Sequence, residues 1–153
     1  MEAGFNARFL YDPNMNGDDI KDQGDYYAYG RQRNLAVVHT GVVDTIDYRD
    51  DAAFEAMAPG FPGDHFIGEW TGLVVIREGG SYTFASSSDD GSHIWINGAM
   101  VVNNEGLHGV RKVRGTVDLT AGFHDVKVDF FENEVIPRTS NPKLQASNPQ
   151  PQT

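Results

Sequence analysis

An all-β fold is the class this sequence predicts: an antiparallel β-sandwich with long loops and at most one short helix. Three observations point to it. Glycine is frequent, 17 of 153 residues, and the apolar runs are short, which suits many strands and turns better than a helical bundle. From Phe66 to Phe131 stretches of strand length and turn signals follow each other at the spacing of a meander. Asn97-Gly98 sits between Ile94-Trp95-Ile96 and Met100-Val101-Val102, and a primed hairpin turn needs positive φ at both central residues, which Asn-Gly supplies at little cost.

Taken in order, Gly4 to Tyr11 alternates around Phe5, Phe9 and Tyr11 and reads as an opening strand with one buried face. Asp12 to Asn34 is a long acidic loop that holds Asp18, Asp19, Asp22 and Asp25 with Tyr26, Tyr27 and Tyr29. Leu35 to Val38 and Val43 to Tyr48 are short strands. Asp51 to Met57 forms a helical turn or two, capped by Asp50 or Asp51 and stopped before Pro59. Strands are then expected at Phe66 to Ile76, Ser81 to Ser86, His93 to Ile96, Met100 to Asn103, Lys112 to Leu119 and Phe123 to Phe131. In the last of these, His124, Val126, Val128 and Phe130 share one face, and Asp125, Lys127 and Asp129 the other. Lys143 to Ala146 closes the domain as a short strand, and Ser147 to Thr153 reads as linker, so the domain spans residues 1–146.

Composition excludes some functions. A formal charge of −10 disfavours nucleic acid, whose binding relies on Lys and Arg displacing counterions, and leaves acidic oxygens suited to hard cations such as calcium. No stretch approaches the roughly 20 apolar residues of a membrane span, so membrane insertion is not expected. The opening residues lack the basic region and apolar core of an export signal. Cysteine is absent. No Gly-x-Ser-x-Gly, His-Glu-x-x-His, phosphate-binding glycine loop or cysteine nucleophile occurs, and the chain is not expected to be an enzyme.

The constellation that carries chemistry is Ser86-Ser87-Ser88-Asp89-Asp90-Gly91-Ser92. In an extended chain consecutive side chains point to opposite sides, so adjacent aspartates approach one ion together only from a special backbone, such as a cis Asp89-Asp90 peptide. The ordinary alternative is a plain turn, in which Asp and Gly are common. Asp12 to Asp18 imitates the front half of an EF-hand loop, but Asp19 and Gln23 stand where that motif needs an apolar residue and a bidentate Glu. Tyr26, Tyr27, Tyr29 and His93 are candidates to line a sugar site, since aromatic faces pack on pyranose rings; such tyrosines more often cover core. Trp70, Trp95 and His124 read as packing residues, and Arg111, Lys112 and Arg114 as a solvated hairpin face.

Gly80-Ser81-Tyr82-Thr83-Phe84, then Ser88-Asp89-Asp90-Gly91-Ser92, then Trp95-Ile96-Asn97-Gly98 resemble, in order and spacing, the signature of the PA-fourteen family, the lectin-like domain first named in the anthrax protective antigen. The similarity begins at Glu69-Trp70-Thr71-Gly72 and continues through Val101-Val102-Asn103-Asn104 and His108 to Leu119 through His124 and Phe130-Phe131-Glu132. The resemblance implies a calcium-dependent carbohydrate-binding module of adhesin type, outside the cell, within a larger multidomain surface protein. It implies that Asp89 and Asp90 form a cis pair that holds calcium, with further ligands from the loop at 133–141, Asn133 first. Asp89, Asp90, His93, Asn133 and Glu134 would then surround the glycan, and calcium would present open coordination to vicinal hydroxyls of a terminal sugar. A structural or protein-interaction module without sugar binding is the alternative.

Overall fold

The computed structural model describes residues 4–12, 35–56, 65–133, 144–146 and 150–151. They form a two-sheet antiparallel sandwich. Its strands are β1 (Phe5–Tyr11), β2 (Ala36–Val43), β3 (Asp47–Tyr48), β4 (Phe66–Ile76), β5 (Gly80–Ser88), β6 (Ser92–Ile96), β7 (Ala99–Asn104), β8 (Arg111–Leu119), β9 (Gly122–Glu132), β10 (Leu144–Ala146) and β11 (Gln150–Pro151), with one helix, α1 (Asp51–Glu55). Six strands form one sheet in the order β2-β1-β4-β9-β6-β7, and the other runs β11-β5-β10-β3 with β8 on the free side of β5.

Two-residue periodicity builds the core. On β9, Val126, Val128 and Phe130 point between the sheets, and Trp70 on β4, Ile94 and Ile96 on β6, and Phe9 on β1 meet them there, against Phe84 and Leu119 of the second sheet. Residues of odd number on β4 and β9 face away, and only Ile67 and Phe131 among them are apolar and buried, in a small second cluster with Leu10. Helix α1 is capped by Asp50, whose Oδ1 accepts the Ala53 N–H at 2.9 Å. Its buried residue, Phe54, stacks on Tyr48 at 4.3 Å and lies parallel to Phe130 at 5.7 Å.

The hairpin expected at Asn97-Gly98 is present, with φ of +50° and +80° at its two central residues. Two expectations are corrected. The segments 35–38 and 43–48 are not two separate short strands: residues 36–43 form one strand paired along β1, with a register shift at Phe9/Leu10, and β3 follows as two residues. Six of the eight β2 side chains are exposed because it is an edge strand, so no buried face marked it as continuous. The 147–153 linker is interrupted by β11, where Gln150 pairs with Thr83 and Pro151 with Tyr82. A proline is admissible there because an edge strand leaves its outward N–H position unused. The loop at 13–34, with its partial EF-hand and three tyrosines, lies outside the described residues.

Candidate functional site

Strand β5 ends in three serines and β6 begins with one, so the turn between them starts from small, hydroxylated walls. Ser92 Oγ bonds to Ser86 Oγ at 2.8 Å and to Ser88 Oγ at 2.7 Å. Asn104 Nδ2 donates to Ser88 Oγ at 3.1 Å and to the Arg111 carbonyl at 3.0 Å, and Asn104 Oδ1 accepts from Arg111 Nε at 2.7 Å. All three serines and Asn104 have no exposed surface, and each bonds within this set. The network fixes the backbone at both ends of the turn.

Across that turn the Asp89-Asp90 peptide is cis. Both aspartates are buried, at 9% and 7% exposure. Asp90 is held from two sides: Oδ1 accepts the His108 N–H at 3.3 Å, and Oδ2 accepts the Asn133 N–H at 3.1 Å. Gly91 follows in a space that admits no side chain, because a Cβ there would collide with the Phe131 ring and come within 3.1 Å of the Gly106 nitrogen. The Phe131 N–H donates to the Gly91 carbonyl at 3.0 Å. The end of β9 is therefore pinned to the turn, which brings Asn133 beside Asp90.

The electrostatics of this arrangement are unfavourable without a cation. Burial raises the pKa of Asp90 from 3.8 to about 6, the neighbouring Asp89 pushes the same way, and the N–H groups of Asn133 and His108 oppose them. Asn133 is 7% exposed, and its Oδ1 is buried without a hydrogen-bond partner. Two neighbouring carboxylates, with a buried unpartnered amide oxygen on the residue whose backbone N–H meets Asp90, offer donors that are oxygens only, the chemistry of a hard cation. Among the described residues no group of three or more His, Asp or Glu side chains gathers to hold a metal, so an ion here would draw on amide, carbonyl or solvent oxygens besides the aspartates.

Of the residues singled out from sequence, the structure joins Asp89, Asp90 and Asn133. Glu134 lies outside the described residues. His93 is corrected: it does not line a ligand surface but has 0% exposure, with Nδ1 bonded to Asp129 Oδ1 at 2.8 Å. Strand alternation explains this, since Ser92 points into the serine network and its neighbour must take the other face of the sheet. Trp70 is fully buried in the core, and His124 bonds to Asn97 Nδ2 and to the Thr120 carbonyl, both at 2.8 Å. Sequence reasoning assigned no role to Asn104 or His108 and read Arg111 as part of a solvated hairpin face, yet these are the residues that brace the turn. Their signal was present in the Asn103-Asn104 and His108 positions, but their partners are far apart along the chain.

Comparison with known proteins agrees with this fold. The sequence profile of the PA14 domain matches residues 23–148. The anti-sigma-I factor RsgI3 of Acetivibrio thermocellus is 27% identical over 86 residues, 56% of this chain and 13% of that protein. An anti-sigma factor domain-containing protein from Clostridium clariflavum superposes with a TM-score of 0.67 at 20% identity, over 95% of this chain and 41% of its own. The PA14 sugar-binding domain from an RTX adhesin superposes with a TM-score of 0.65 at 19% identity, over 95% of this chain and 89% of its own. The chain thus spans about an eighth of the first relative and less than half of the second.

Proposed function

Given that the chain belongs to the PA14 domain family, we propose that it is a calcium-dependent glycan-binding module acting without catalysis, part of a larger protein displayed outside the cell. The observation that carries the reading is the buried cis pair Asp89-Asp90, with Asp90 bonded to the N–H of Asn133, a residue whose own Oδ1 is buried and unpartnered. Asp89, Asp90 and Asn133 would hold the cation, with Glu134 a further oxygen from the same loop. Bound calcium, which takes 6 to 8 oxygens, leaves places for two neighbouring hydroxyls of a terminal sugar. The likeness to the sugar-binding domain of an RTX adhesin supports the glycan side of the reading. Sugars are heavily hydrated, so affinity per site is expected to be weak, about −4 to −6 kcal/mol, and useful attachment would need several copies.

A second reading follows from the anti-sigma factor relatives: the same turn orders a loop, with or without calcium, in a module that senses or contacts another protein. Calorimetric titration with calcium and then monosaccharides separates the two. On the first reading calcium binds, sugars give heat only with calcium present, and Asn133→Ala weakens calcium roughly tenfold or more, because the amide oxygen it removes has no other partner. The same substitution is expected to cost the calcium-free fold little, about 1 kcal/mol or less. A chain that takes up calcium yet ignores every sugar belongs to the second reading, and one that ignores calcium refutes the mechanism.

A further inference from the structure

On the outer face of the six-stranded sheet, two hollows of about 450 and 680 Å³ adjoin. They share Thr71 and Lys127, so they form one cleft running across the strands from β2 to β6. The registers set its floor in order: Thr40 stands opposite Arg8 and Val42 opposite Asn6, Asn6 opposite Thr71, Thr71 opposite Lys127, and Lys127 opposite Trp95. Four strand spacings of about 4.8 Å give the cleft a length of roughly 19 Å.

The chemistry of the floor narrows its occupant. Asn6, Thr40 and Thr71 are exposed and offer amide and hydroxyl groups that both donate and accept. The charges cancel: Arg8 is paired with Glu69, and Lys127 and Asp125 carry one charge of each sign. A lining without net charge has no preference for an anionic or cationic ligand. At the β6 end the half-buried Trp95 presents its indole, held by the Lys127 ammonium 5.1 Å from the ring centre and by His93 at 5.1 Å between ring centres. An aromatic platform beside a row of alternating donors and acceptors suits a chain of neutral polyols, since the ring takes the apolar face of a sugar and the side chains take its hydroxyls. Of the exposed apolar side chains on this face, Val42 stands at the β2 end of the cleft, Leu73 borders it opposite Asp125, and Val75 and Phe123 lie beyond it toward the far end of β4.

We propose that this cleft is a second glycan-binding site, one that takes an extended, uncharged oligosaccharide across the sheet face and needs no calcium. It is separate from the aspartate turn, because the buried row Glu69, Asp129 and His93 lies between them.

The test is calorimetry of the full chain in EDTA with cellohexaose, xylohexaose and mannohexaose. EDTA silences the aspartate turn, so a failure here and a failure of the calcium reading are told apart. At least one hexaose is expected to bind with a dissociation constant in the millimolar to high-micromolar range. Thr71→Arg, which fills the centre of the cleft from an exposed position, is expected to weaken it about tenfold or more with an unchanged melting temperature, and Trp95→Ala to weaken it as much while lowering the melting temperature. The proposal is overturned if no hexaose binds, if binding survives Thr71→Arg, or if it appears only with calcium. It is equally overturned if the chain binds no sugar but self-associates in sedimentation and Thr71→Arg abolishes that association, which would make the cleft a protein contact.

Discussion

Asp90→Asn is expected to raise the melting temperature in calcium-free buffer at pH 7 while removing any response to calcium. Burial lifts the Asp90 pKa from 3.8 to about 6, so the folded state holds its proton more tightly than the unfolded chain does. As pH rises from about 4 the unfolded chain loses this proton first, and stability falls until the folded pKa near 6 is passed, then stays level. The penalty at pH 7 is on the order of 3 kcal/mol. Asparagine removes it but turns an NH2 toward one of the two N–H donors now served by Oδ1 and Oδ2, a loss of about 1 kcal/mol. A net gain of roughly 2 kcal/mol raises the midpoint by about 4 to 8 °C. With calcium the order should reverse, since only the wild type has an ion to bind. Thermal melts of both proteins at pH 4.5 and pH 7, in EDTA and in calcium, read all of this. A variant less stable than wild type in EDTA at pH 7 would show that the Asp90 carboxylate already has adequate partners.

Phe54→Ala is expected to cost about 3–5 kcal/mol, a drop of roughly 6 to 20 °C in the melting temperature. Phe54 has 0% exposure and meets Tyr48, Phe66 and Phe130 with ring centres 4.3, 4.8 and 5.7 Å away. Helix α1 is five residues long and has little intrinsic stability, so its seat on the core depends on this one ring. Truncation leaves a void bounded by strands of both sheets, which cannot close without moving them. Urea denaturation measures the loss, and a value under about 1 kcal/mol would mean that the helix does not hold the core closed.

The fold was legible where one face of a strand is wet and the other dry. β9 shows this best: His124, Val126, Val128 and Phe130 are buried, with Asp125 exposed and Lys127 partly so, as alternation requires. Alternation fails further along, where the outward-facing Asp129 and Phe131 are buried too. No local pattern reveals that, because what covers them comes from elsewhere in the chain. Asp89 and Asp90 could be found because adjacency alone makes them unusual, and the placement of Asn133 depended on family likeness. The bracing residues Asn104, His108 and Arg111 could not be found from composition or spacing. Asn104 reaches back 16 residues to Ser88, and Asn133 reaches 43 to Asp90, contacts that exist only once β5, β6 and β9 are in register. His93 was singled out as an aromatic ring able to pack on a sugar, but its place on the strand turns it away from the serine network, to full burial against Asp129.

The way the last strands return to β5 has a mechanical consequence for any module loaded through its C-terminal end. Gln150 and Pro151 lie along Thr83 and Tyr82, and Leu144 to Ala146 along Ser88 to Ser86. Tension drawn through the C-terminal end reaches this seam first. Directed along β5 it loads the rungs together in shear; directed across β5 it opens them one after another, two rungs and then three. The last rung in that sequence joins Leu144 to Ser88, the residue before Asp89. The aspartate turn and the path of the pulling force thus share a backbone, so the direction of the pull, and not only its strength, would decide when the turn is disturbed.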